Sequence, residues 1–357
     1  MWLTNSSIGR KFVMAITGIA LVLFVTFHVL MNAVALLWPT AYNQVCEFLG
    51  ANWYALIASA GLALLFIIHI IYALWLTVQN RAARGNDRYK VTARQPQVEW
   101  ASKNMLVLGI VVLAFLAVHL IQFWAKMQLQ EMQHHDLTVL PQLDGVPCAP
   151  AMGTLFLQMA FQEIWTPVVY IIGFVALWFH MTHGFWSMFH TVGWDNNIWL
   201  NRLKTIGCWW ASIVVVLFIA QAITFSVLAN KNYYTENPEL REQYAEFWSA
   251  QSEKLIADFE QGYYGIVAND AVINKQDALI SYFQTELPGM IARGEAITDG
   301  FSKQCPGIFN ENVHNVQGFV QQMKGQLMSL QYMSKTPAAQ SQEPMAQEPQ
   351  AQTPDNN

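Results

Sequence analysis

The chain has 357 residues, of which 54% are hydrophobic and only 12% charged, with a formal net charge of −5. Soluble domains carry about a quarter charged residues, so this balance points to lipid as part of the solvent. No basic stripe of the kind that grips nucleic acid is present. The negative charge gathers at one end, with 16 acidic and 8 basic side chains after residue 229.

A helix needs about 20 mainly apolar residues to cross the hydrocarbon core of a bilayer. Five stretches reach that length, at 12–38, 53–79, 104–125, 155–190 and 205–229. Arg10 and Lys11 precede the first. The apolar run from Phe12 to Trp38 is too long for the core of a signal peptide, and no small-residue cleavage site follows it, so it reads as a retained span. Pro39 closes the first span, Asn52 and Trp53 open the second, and a basic stretch from Arg81 to Arg94 follows it. Pro167 near the start of the fourth predicts a kink or an interfacial first turn.

Loop charge gives an orientation. Arg10, Lys11, Arg81, Arg84, Arg88, Lys90, Arg94, Lys103, Arg202 and Lys204 would all face one side, and the opposite loops hold only Lys126. The positive-inside rule then puts the N-terminus in the cytoplasm and the C-terminal region outside it, as in a multi-pass protein of a bacterial inner membrane. Residues 230–333 carry apolar side chains at helical spacing, as in Leu240, Tyr244, Phe247 and Trp248 or Val313, Val316, Val320 and Met323. This predicts a small helical extracytoplasmic extension after a five-span domain at 1–229. Residues 334–357 are rich in Pro, Gln and Ala without periodicity and read as a disordered tail. The expected fold class is an all-α, integral-membrane five-helix bundle with that extension.

The four cysteines (Cys46, Cys148, Cys208, Cys305) show no close spacing, so an iron–sulfur or zinc site within this chain is not expected. Cys46, Cys148 and Cys305 would lie outside the cytoplasm, where disulfides persist. A Cys148–Cys305 bond could tether the extension to the 126–154 loop, one of the pairings that three thiols allow.

Histidine inside a bilayer span is costly and usually functional. Four spans carry it: His28, His69 and His119 in the first three, and His180, His183 and His190 in the fourth. A single one could be a neutral ring bonded to a neighbouring helix; four consecutive spans argue for more. At 1.5 Å rise per residue, His28 lies about 25 Å from Lys11 and His119 about 24 Å from Lys103. His69 lies about 18 Å from Arg81, and His183 about 16 Å from a helix end near Trp194. The rings thus form two layers, His28 with His119 and His69 with His183. Two facing imidazoles at one depth are what a six-coordinate haem iron requires, so two layers imply two haems. His180 is the second choice in the fourth helix. His183 is preferred for its depth and because Gly184, which follows it, lets a flat porphyrin approach the backbone. His190 is nearer the surface.

These residues resemble the single-chain, five-helix, two-haem cytochrome b subunit of succinate dehydrogenases and fumarate reductases. The likeness rests on SSIGRKFVMAITG at the N-terminus, a histidine in each of the first four helices and HMTHGFWSMFHTVGW in the fourth, and covers about residues 1–229. It implies a distal haem b held by His28 and His119 and a proximal haem b held by His69 and His183. It also implies partners: a flavoprotein with covalent FAD and an iron–sulfur subunit, in a heterotrimer that can pair with a second copy. The electron acceptor or donor in the membrane would be menaquinone or another quinone. Quinone chemistry needs an acid or base within hydrogen-bond reach of a ring oxygen. Candidates are Glu47, Gln162 and Glu163 on the outer side, with Asn32 near in depth, and Ser6, Ser7 and Arg10 on the inner side. Plainer readings exist: a helix N-terminus favours a carboxylate such as Glu163, and Arg10 can be simply topogenic. Two rival functions are a cytochrome b anchor for another quinone-linked dehydrogenase and a transporter that relays protons through histidines.

Overall fold

Ser6 starts the first long helix. Its hydroxyl accepts from the Gly9 amide at 2.9 Å, satisfying one of the orphan donors of the first turn. Helix α1 then runs Ser7–Leu37. Pro39 forces the residue before it out of the helical region, and Trp38 turns the chain with φ −144° and ψ 83°. The structure is a computed structural model that describes residues 6–84, 100–133, 137, 139–194, 196 and 198–335. Arg88, Lys90, Arg94 and the expected tail beyond Lys335 lie outside these residues.

Pro39, at the first position of the next helix where its missing N–H costs nothing, opens α2 (Pro39–Ala51). The segment between the first two spans is therefore a helix. Helix α3 spans Trp53–Arg84 and α4 spans Trp100–His119, running straight into a π-helical turn at Leu120–Trp124. After α5 (Gln128–Gln133), strands β1 (Gln142–Leu143) and β2 (Val146–Pro147) form a small antiparallel hairpin. Its turn residues Asp144 and Gly145 both have positive φ, at 51° and 77°, as the tight hairpin turns favoured by Asp-Gly require. Then come α6 (Gly153–Phe161), α7 (Trp165–Val192), α8 (Trp199–Ala229), α9 (Tyr233–Glu236), α10 (Pro238–Val267), α11 (Lys275–Gln304) and α12 (Glu311–Lys335).

Five of these helices are long and apolar enough to cross a membrane, and 85% of the described residues are helical. The expected fourth span at 155–190 is two helices: the chain breaks at 162–164, and Pro167 falls in the first turn of α7. A proline there is tolerated because the first-turn N–H groups have no intrahelical partner. Helix α7 ends on Gly193 at φ 78°, with the Gly193 and Trp194 amides donating to the His190 and Phe189 carbonyls. Glycine suits this left-handed cap because it has no Cβ to clash.

Helices α7 and α8 share the largest interface, α1 packs on α7, α3 and α8, and α4 packs on α7. The most apolar stretch of α3 is 0% buried, so Ile57, Leu64, Ile67, Ile71 and Leu74 face outward. Lipid offers no hydrogen bonds, so polar side chains turn inward and find carbonyls. Gln221 of α8 donates to the Val29 carbonyl of α1 at 2.9 Å, and Gln158 of α6 to the Ala229 carbonyl at 2.8 Å.

The chain divides into two compact units, one of 1–247 with 302–308 and one of 248–301 with 309 onward. Residues 230–247 and 302–308 thus pack with the apolar helices. A buried polar net joins them: Asn43 donates to Gln243 at 3.0 Å and accepts from the Thr154 amide and hydroxyl, which also meets the Tyr244 hydroxyl at 2.9 Å. Cys148 and Cys305 are free thiols, so the expected covalent tether is not formed. The two segments are joined instead by Gln304, which donates to the Pro147 carbonyl at 3.1 Å. Each thiol proton points to a backbone oxygen, Cys148 to Val146 and Cys305 to Arg241. Burial pushes both thiols up to about 12.

The second unit buries Trp248, Leu255, Leu287, Ile297, Val316 and Met323 at 2% exposure or less. Its helices approach closely at glycines. A Cβ on Gly300 would collide with the Trp248 ring, and one on Gly294 with Val320.

Candidate functional site

Inside the apolar bundle the histidines stand in two facing pairs. His28 on α1 and His119 at the end of α4 face each other with ring centroids 5.7 Å apart and planes at 80°. His69 on α3 and His180 on α7 face each other at 6.3 Å and 62°. A metal–imidazole nitrogen bond is about 2 Å, so two rings on opposite sides of one ion hold their centroids about 6 Å apart. Both pairs stand at that spacing. His183 lies edge-on to Trp186 at 4.9 Å, and His190 is exposed. The ring that faces His69 is His180.

The reason lies in direction around the helix. Three residues turn a helix by about 300°, so His180 and His183 differ by about 60° in heading and 4.5 Å in height. His180 points into the bundle, where Gly109 of α4 lies beside it; a Cβ there would come within 3.9 Å of the ring. Gly18 of α1 stands in the same relation to His69, at 3.8 Å.

Each imidazole has a different neighbour at its other nitrogen. The Thr17 hydroxyl donates to the Val13 carbonyl at 2.9 Å and so accepts from Nδ1 of His69 at 3.1 Å. The Tyr170 hydroxyl donates to Oε1 of Gln122 at 2.9 Å and so accepts from Nδ1 of His119 at 3.3 Å. These bonds place the proton on Nδ1 and leave Nε2 of both rings as a lone-pair donor. The Asn32 amide meets Nε2 of His28 at 3.2 Å. Nδ1 of His180 is buried with no hydrogen-bond partner, a costly condition for a ring nitrogen. Phe24 and Phe218 flank His28, and Phe115 and Phe123 flank His119.

The residues considered for a quinone are more scattered. Glu47 is exposed on α2, Glu163 is exposed in the corner between α6 and α7, and Gln162 beside it is half-buried. Ser7 is the exposed first residue of α1. Arg10 lies over the Trp75 ring at 5.3 Å and reaches the Gln79 amide oxygen at 3.0 Å when that amide is turned to accept. Sequence reasoning missed Thr17, Gln122 and Tyr170. Gln122 had a signal, an amide in an apolar span three residues beyond a histidine; Tyr170 had none, being one aromatic among many.

Together the fold and the site define a membrane-embedded, all-α helical bundle whose interior holds two facing histidine pairs. No family model, curated protein or solved structure matches the chain.

Proposed function

We propose that this chain is a two-haem cytochrome b that anchors a succinate:quinone oxidoreductase in the membrane. The observation that carries this reading is the two imidazole pairs at the spacing of axial ligands to one iron, each pair joining two different spans. Among the described residues no three His, Cys, Asp or Glu converge. Two facing imidazoles are the residue types that would hold a haem iron.

The residues present fit such a group. His28 and His119 would hold one haem, and His69 and His180 the other. Gly18 and Gly109 keep the space beside the second pair free of side chains, and the unsatisfied Nδ1 of His180 marks a site built for more than packing. When bound, haem supplies a one-electron carrier. The chain's own residues orient the rings, fix their tautomers through Thr17 and Tyr170, and exclude water with phenylalanines. The Asn32 amide occupies the Nε2 lone pair of His28, so it has to swing aside for a metal at that atom.

The specific family reading rests on the resemblance of the first 229 residues to succinate dehydrogenase and fumarate reductase cytochromes. On that reading the N-terminus is cytoplasmic and electrons pass between an iron–sulfur subunit and a quinone. The dicarboxylate chemistry then belongs to a partner flavoprotein. A dithionite-reduced-minus-oxidised spectrum of the purified chain tests the core claim, with two b-type haems per chain expected. Absence of b-type absorbance sinks it. Co-purification with a flavoprotein and an iron–sulfur protein separates this anchor from that of another dehydrogenase.

A further inference from the structure

The two histidine pairs differ in how their surroundings hold them. Thr17, the acceptor for His69, spends its own proton on the backbone of its helix, at the Val13 and Met14 carbonyls. Tyr170, the acceptor for His119, belongs to a longer chain of bonds. Gln122 donates through Nε2 to the Thr166 hydroxyl at 3.1 Å, which turns its oxygen toward Tyr170. Tyr170 therefore donates to Gln122 at 2.9 Å and keeps a lone pair for His119. Gln122 sits only three residues beyond His119, in the π turn, so one short segment fixes both the ring and the partner of its acceptor. Tyr170 and Thr166 stand one turn apart on α7 and are both buried. Phe115, Phe161 and Phe174 pack around the Tyr170 ring at 5.0, 5.3 and 5.9 Å.

We infer that Tyr170 is a positioning residue for the His28–His119 site, with Gln122 and Thr166 holding its hydroxyl in the accepting orientation. The inference rests on the haem reading above. A partner that accepts from the outer nitrogen of a ligating histidine fixes the ring's orientation and raises its basicity. A more basic axial ligand favours ferric over ferrous iron, so this hydrogen bond lowers the midpoint potential of the haem held there. The second pair, with its lone threonine and its bare His180, lacks that chain.

The test is redox potentiometry and low-temperature electron paramagnetic resonance on the purified chain with its haems. The wild-type must first show two b-type haems; if it shows none, the functional reading fails, and this inference falls with it. Each haem is assigned to its site by the one lost in His119→Ala. Tyr170→Phe is expected to raise the midpoint of the His28–His119 haem and shift its low-spin signal, leaving the other haem unmoved. A tenfold change in the ferric-to-ferrous affinity ratio is about 59 mV for one electron, and the expected rise is of that order or less. No shift, or an equal shift in both haems, overturns the inference. If Tyr170→Phe does not retain haem, Gln122→Met decides: it leaves the phenol in place without its acceptor. A smaller rise confined to the same haem supports the inference, and an unchanged midpoint and signal overturn it.

Discussion

The apolar unit and the unit of residues 248–301 and 309–335 treat their side chains in opposite ways. In the first, Leu64, Ile67, Ile71 and Val216 are exposed, while Gln221 and Gln158 are buried and donate across to helix carbonyls. In the second, Trp248, Leu287 and Ile297 are buried, and the surface carries ion pairs such as Arg293–Asp258 at 3.0 Å and Lys324–Glu295 at 2.6 Å. The difference records two solvents. Where hydrocarbon surrounds the helices, a polar group gains most by turning inward to another polar group; where water surrounds them, burial of apolar area is the main driving force. Histidine pairs in the first unit are therefore costly to place and informative, whereas a half-buried aromatic in the second is ordinary core.

That contrast can be broken at several points. The largest effect is expected from His180→Ala, which should remove one of two haems per chain in a pyridine haemochrome assay, whereas His183→Ala should keep both. The reverse outcome would return the ligand role to His183. Next, Trp248→Ala should cost the second unit about 3–5 kcal/mol, read by denaturation followed with circular dichroism. The reduced haem spectrum should stay as it was; a changed spectrum would mean that the two units are not independent.

The buried thiols give a third test. With folded values near 12 against 9.0 for the free group, Cys148 and Cys305 stay protonated at pH 8, and the thiolate is the reactive form. Alkylation should be roughly a thousandfold slower than at an unperturbed thiol, and complete only after unfolding. The sign of the linkage follows. Burial of the neutral thiols stabilises the fold below about pH 9, and that contribution is lost as pH rises toward 12. The smallest effect belongs to Gln221→Leu. It removes one hydrogen bond to a carbonyl already inside a helix, for about 0.5–1.5 kcal/mol in detergent unfolding.

Much of the bundle was legible because lipid imposes a simple rule of length and hydropathy. Four of the five spans start and end within six residues of the apolar runs, and the helical spacing of Val313, Val316, Val320 and Met323 is the buried face of α12. Depth arithmetic brought His28 level with His119, because long helices keep count over many turns. It favoured His183 over His180, which differ by less than one turn; heading instead brings His180 to face His69, and heading depends on how α7 packs against α1, α4 and α8. The break at 162–164 was hidden because both sides are apolar. Helix α2 was hidden because Tyr42, Asn43, Cys46 and Glu47 mix polarity without a clean stripe. The partnership of Tyr170 with His119 links residues 51 apart, and no local pattern encodes it.

The π turn after His119 also makes the chain length countable there. Such a turn holds one residue more than an α turn, and the Ala125 amide reaches back to the Leu120 carbonyl at 2.8 Å. Deleting Leu120 or Ile121 would rotate Gln122 about the helix axis by about 100° and swing its amide off Tyr170, while His119 kept its place. Among relatives of this chain, gaps should therefore collect in the loops and stop short of this turn, an alignment signature that marks the segment without reference to any residue's identity.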